Sequence, residues 1–160
     1  MYRSRGKFRE AAVPPSPSST QGPALWNPAA AVNWSLPLTP AFGAYLQMQN
    51  WKALGEPNRA ASARRWFYTS LAMAALYLVL AFVIEDDKID QYLRGLGFGF
   101  LIVWYVASGR SQIDYVKEKL GRDYERRPWG VALLCGMGGV ILFYAVSIII
   151  GLVIYVAGRT

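Results

Sequence analysis

Histidine is absent from this 160-residue chain and cysteine occurs once, at Cys135. The first absence removes the commonest general base at neutral pH, the commonest metal ligand and every histidine-dependent triad. The second excludes an internal disulfide, and a lone thiol within an apolar run reads as a small packing residue. Charge is missing as well, and its absence is organised. Residues 66–84, 95–109 and 128–158 contain no Asp, Glu, Lys or Arg. A charged side chain at a bilayer centre costs about 2.5 to 3.5 kcal/mol on insertion scales, so long charge-free runs of Leu, Val, Ile and Phe partition into lipid.

What is present fits that reading. Apolar residues make up 54% of the chain and are gathered into blocks, an arrangement unusual for a single soluble core. The net charge of +7 would suggest nucleic acid if the basic residues formed one patch. Here they flank the apolar runs, where Lys and Arg meet anionic headgroups, so no nucleic-acid partner is expected.

A hydrocarbon layer about 30 Å thick needs roughly 20 helical residues. The first run supplies 19 residues and the third 31. The middle run has 15 and borrows from Tyr92, Leu93 and the stems of Arg94 and Arg110 to reach across. The expected fold class is therefore all-α, an integral membrane protein with spans near 66–84, 92–109 and 130–157 inside a domain covering 56–160.

Loop charges orient these spans. Lys52, Arg59, Arg64 and Arg65 precede the first run, and Arg110, Lys117, Lys119, Arg122, Arg126 and Arg127 lie between the second and third. If the middle run crosses, both groups share one side, and the positive-inside bias puts that side in the cytoplasm. Arg64, Arg65 and Trp66, like Arg126, Arg127 and Trp129, pair arginines with an amphipathic ring and read as headgroup anchors. Glu85, Asp86, Asp87 and Asp90 then face outward. Their spacing lacks the turn glycine and distal glutamate of a calcium loop, so they read as a solvated hairpin loop. Residues 114–124 alternate apolar and charged positions at helical spacing, as a short helix on the membrane surface would.

The N-terminal third divides in two. Residues 1–28, with Arg3, Arg5, Lys7 and Arg9 followed by a Pro- and Ser-rich stretch, read as a disordered cytoplasmic arm. Residues 29–55 are apolar, but Pro37, Pro40 and Gly43 interrupt any regular span. Keeping the arm inside gathers fourteen of the 17 basic residues on one face, so this segment is expected to re-enter or lie at the interface. Its Asn33, Gln47 and Asn50 are candidates for lining a polar cavity.

Asn33-Trp34-Ser35, Pro40-Ala41-Phe42-Gly43, Tyr45 and Asn50-Trp51-Lys52-Ala53-Leu54-Gly55 resemble an N-terminal module of small multi-pass bacterial inner-membrane proteins of unknown function. The resemblance covers residues 33–55. It implies a bacterial inner membrane and transfers no catalytic residue.

Small residues recur one helical turn apart: Gly95 and Gly99, Ala132 and Gly136, Cys135 and Gly139, Ser147 and Gly151. Such strips let helix backbones approach closely where lipid removes the hydrophobic incentive to associate. They serve packing within the protein or against a partner helix. No ionisable group lies inside the three runs, which disfavours an intramembrane enzyme or proton-coupled transporter acting alone. The expected role is non-enzymatic, with no cofactor or metal. Its partners would be the bilayer and another membrane protein or a membrane-inserting toxin, as for an immunity protein. A subunit of a small-solute or lipid transport system is the alternative. Topology reporters fused after Arg9 and Lys119 should read as cytoplasmic, and those after Asp87 and Thr160 as external. An external reading at Arg9 would overturn the re-entrant placement.

Overall fold

The computed structural model describes residues 22–84 and 87–158. The basic arm up to residue 21, and Glu85 and Asp86 of the acidic loop, fall outside the described residues. The regular elements are all helical: α1 (Pro28–Ser35), α2 (Pro40–Ala53), α3 (Pro57–Val83), α4 (Asp87–Trp104), a π-helical turn (Tyr105–Gly109), α5 (Arg110–Lys119) and α6 (Gly130–Ala157).

Prolines and caps set the N-terminal boundaries. Asn27 accepts hydrogen bonds from the backbone N–H groups of Ala29 and Ala30 at 3.0 and 3.4 Å, with Pro28 in the first turn. Thr39 Oγ1 accepts from Phe42 N at 3.3 Å, with Pro40 beginning α2. Each proline occupies a position whose N–H would have no intrahelical acceptor, and each cap contributes about 1 kcal/mol. The prolines that interrupt the segment over 29–55 therefore fold it into an antiparallel helical hairpin. Gly55, at φ +73°, closes α2: Glu56 N donates to Trp51 O at 3.0 Å and Gly55 N to Lys52 O at 3.1 Å.

Helix α3 returns alongside α2, with Met48 and Trp51 packed against Ala60 and Ala63, and the Tyr45 and Phe67 rings 5.9 Å apart. Helix α4 passes into α5 without a break, because Trp104 and Arg110 at the ends of the π turn both keep right-handed helical backbone. Of the short surface helix expected over 114–124, only the part up to Lys119 is helical, and it is the end of this continuous helix. One side of α5 faces the protein, with Gln112 and Val116 buried.

Burial is concentrated at one end. Buried residues come from α1, α2, the segments just before and between them, the first half of α3, Trp104 at the end of α4, the π turn and α5, whereas α6 buries only Ala132 among its residues. Beyond that end, large apolar side chains from Tyr68 to Val83, Tyr92 to Val106 and Val131 to Val156 stand exposed in an extended band. Such a surface far exceeds what a soluble monomer leaves open. Two helices, α3 and α6, are long and apolar enough to cross a membrane by length and composition. Helix α4 does not join them on that measure, since Asp87, Lys88, Asp90 and Arg94 crowd its first turns.

Helix α6 meets the hairpin at Gly136, where an added Cβ would lie 2.8 Å from Leu38 Cδ1 and 2.9 Å from the Phe42 ring. Gly138 has open space at the same position. Gly136→Leu should therefore lower the unfolding free energy by about 1 to 3 kcal/mol in detergent, through overpacking. Gly138→Ala should stabilise by up to about 1 kcal/mol, through helix propensity. Thermal denaturation followed by circular dichroism checks both; equal melting points would refute the contact.

Candidate functional site

Two places draw together the residues singled out in the sequence. The first is a buried junction between the hairpin and the π turn. Gln47 projects from α2 and forms a two-way contact with Ser108: its Nε2 donates to Ser108 O at 2.6 Å, and Ser108 Oγ donates to its Oε1 at 2.8 Å. Gln112, one turn further along, donates to Gln47 O at 2.9 Å. Asn50 Nδ2 donates to Gln112 Oε1 at 3.2 Å and to Trp26 O at 2.8 Å, while Trp26 N donates back to Asn50 Oδ1 at 3.0 Å. Spacing makes this possible. Gln47 and Asn50 are one turn apart on α2, and Ser108 and Gln112 one turn apart on the facing helix.

Ser108 O, in the π turn, accepts from Gln47 Nε2 and also from Ser111 Oγ at 2.7 Å. Above this junction Trp104 closes over Gly43, where any Cβ would overlap Ser35 Oγ and the Trp104 ring. Among the described residues the indole N–H of Trp104 has no acceptor, a cost of about 1 to 3 kcal/mol that burial of the ring offsets.

Below the junction lies an aromatic and charged cluster. Arg59 sits over the rings of Trp51 and Tyr115, at 4.9 and 4.7 Å from their centroids, and Tyr115 Oη donates to Glu56 at 2.9 Å. That hydrogen bond, then partial burial and the Glu56 charge, raise the Tyr115 phenol above its ordinary value of 10.0, against an opposing pull from Arg59. The neutral, donating form is the one favoured. Its contribution is present below 10.0 and fades as pH rises through the elevated value.

The second place is a lateral groove of about 780 Å³ between α3 and α4, lined by Met73, Gln91, Tyr92, Gly95, Leu96, Gly99, Phe100 and Val103. An added Cβ on either glycine would meet nothing within 4 Å. Here the glycines that resemble one another in sequence separate. Gly136 is covered by the hairpin, and an added Cβ on Gly151 would lie 3.4 Å from the Phe82 ring of α3. Gly139 has open space, and Ser147 spends its hydroxyl on Phe143 O of its own helix at 2.8 Å.

The expected anchors also divide. Arg64, Arg65 and Arg126 are exposed, as headgroup contacts would be. Trp66 packs at 5.9 Å from the Phe100 ring, Arg127 lies 4.7 Å over Trp26, and Trp129 packs on the Ala31, Leu46 and Ala132 cluster. Of the polar-cavity candidates, Gln47 and Asn50 meet in the junction with their amides engaged, whereas Asn33 is exposed beside a different groove. Sequence reasoning missed Trp26, Ser108 and Gln112. The available signal was the one-turn spacing of polar pairs on two otherwise apolar helices.

No protein-family model, curated protein or solved structure matches the chain.

Gln47→Leu should lower stability by about 1 to 3 kcal/mol, because it leaves the Ser108 hydroxyl without its acceptor in a buried setting. Gln49→Leu, at a half-buried position outside the network, should change it by no more than about 0.5 kcal/mol. Chemical denaturation in detergent distinguishes the two.

Proposed function

We propose that the chain is a bacterial inner-membrane protein with three spans that recognises a transmembrane helix of another protein, without catalysing a reaction. The observation that carries this reading is the groove between α3 and α4. Gly43, Gly136 and Gly151 are met by side chains of the fold itself, whereas Gly95 and Gly99 line an open groove with Met73, Tyr92, Phe100 and Val103, and no described atom lies within 4 Å of an added Cβ at either. A helix approaching there would reach the α4 backbone closely enough for dispersion contacts to accumulate, which is how helices associate in lipid.

The third span has its own support. Helix α4 runs beside α3, with the Trp66 and Phe100 rings in contact and Met73 facing the same groove as Gly95 and Gly99. Its Leu96, Phe98, Ile102 and Val103 are exposed like the apolar faces of α3 and α6. If α3 crosses, its neighbour shares the same hydrocarbon layer. Both basic loops then face the cytoplasm, and the C-terminus faces outward.

The partner would be a resident membrane protein under regulation, or a membrane-inserting toxin against which the chain gives immunity. The transport reading has the segment from Ala29 to Trp51 lining a path, with Asn33, Gln47 and Asn50 as its candidate polar groups. With two of those amides engaged in the buried junction, no observation favours it.

Gly95→Leu combined with Gly99→Leu should abolish protection of producing cells against a membrane-inserting toxin without lowering the melting temperature, because no described atom lies within 4 Å of an added Cβ at either position. Gly138→Leu, equally open but outside the groove, should retain protection. Protection that survives the double substitution would refute recognition through this groove.

A further inference from the structure

We propose that the protein is a one-sided membrane wedge: its α1–α2 hairpin occupies the cytoplasmic leaflet alone, so the molecule favours membrane that is convex on its cytoplasmic side. The inference rests on the three-span reading and goes beyond it. It follows from where the hairpin tip stands. Tyr45 of α2 is level with Phe67 of α3, just past the Trp66 anchor. The helix then continues from Tyr45 back to Pro40, about 8 Å further from that anchor at 1.5 Å per residue. On the opposite side, Leu38 and Phe42 rest on Gly136, about 9 Å along α6 from Gly130. Both measures bring the tip to a depth of roughly 10 Å, short of the midplane of a layer about 30 Å thick.

The tip is built for hydrocarbon. Residues 22–51 carry no charge, and the turn between the helices exposes Leu36 at 62% with Trp34 beside it at 42%. In lipid the difficulty is the backbone, since every unpaired N–H costs several kcal/mol. This turn has few to satisfy. Pro37 and Pro40 have no N–H, Leu36 N donates to Asn33 O at 3.2 Å, Leu38 N donates to Trp34 O at 3.2 Å, and Phe42 N is held by Thr39. The occupant of the surface around Leu36 is accordingly the acyl chains of the cytoplasmic leaflet.

The consequence is an unequal cross-section. The cytoplasmic leaflet holds the tip of the α1–α2 hairpin beside the three spanning helices, whereas the outer leaflet holds the three spans alone. An inclusion that expands one leaflet is relieved where that leaflet is stretched, which makes its insertion sensitive to curvature.

Reconstitution into vesicles of graded diameter tests this, using the full chain with Cys135→Ser and Lys119→Cys, labelled by a membrane-impermeant maleimide. The ratio of cytoplasmic-face-out to cytoplasmic-face-in molecules should rise as vesicle diameter falls, and Leu36→Asp should flatten that rise. A ratio independent of diameter overturns the wedge. Leu36→Cys labelling reports the underlying topology separately. Protection of this position from the maleimide on both faces supports a tip in lipid, whereas labelling from the cytoplasmic face as fast as Lys52→Cys makes the hairpin a water-exposed cap and overturns the three-span reading's re-entrant segment with it.

Discussion

The amide of Gln47 is 3% exposed and bonds at both of its ends to Ser108, a residue 61 positions away in sequence. Everything at the packed end of the molecule depends on that contact and its neighbours. It joins the hairpin to the long helix, and through Gln112 and Asn50 it reaches Trp26, whose own indole donates to Pro128 O at 3.1 Å. From there the chain continues into α6. Four segments far apart in sequence thus meet in one set of uncharged hydrogen bonds. Inside a low dielectric such a set is worth more than in water only while every member is paired. Amides serve this purpose without the desolvation cost that a buried ion pair would bring.

The π turn belongs to the same constraint. One added residue within a helix turns the following side chains, and here that rotation carries Ser108 and Gln112 toward α2 while Tyr105 and Val106 stay on the exposed side. Packing then follows. Gly43 lets the Trp104 ring close over α2, and Gly109 is buried where a Cβ would come within 3.2 Å of Val32 of α1. Hydrogen bonds fix the register of the long helix against the hairpin, and two close backbone approaches hold the separation.

Much of this was legible in the sequence, and the unread part has an identifiable cause. Charge-free runs give the long helices because dielectric and length act locally, and the prolines at 37 and 40 mark the break in the apolar segment for the same reason. Gln47 and Asn50 were visible as polar groups needing partners. Which partners they take depends on the long helix running unbroken past residue 109, and a π turn has no composition signature. The glycine pairs were alike on the page for a related reason. Gly136 and Gly95 sit in the same small-residue spacing, and only the tertiary position of Leu38 and Phe42 makes one of them covered and the other open.

This contrast divides the molecule's labour along its length. At the hairpin end, buried amides, stacked arginines and ring contacts hold the helices in one arrangement. At the other end α3 and α4 border a groove lined by Gly95 and Gly99, and Gly151 of α6 faces the Phe82 ring of α3. A fold that closed both ends would gain dispersion energy but leave no surface for another helix. Clamping one end keeps the open end from collapsing, because the separation of α3 and α4 is set by the junction below it. The groove between α3 and α4 can then persist, and the proposed recognition surface inherits its shape from hydrogen bonds that a bound partner never touches.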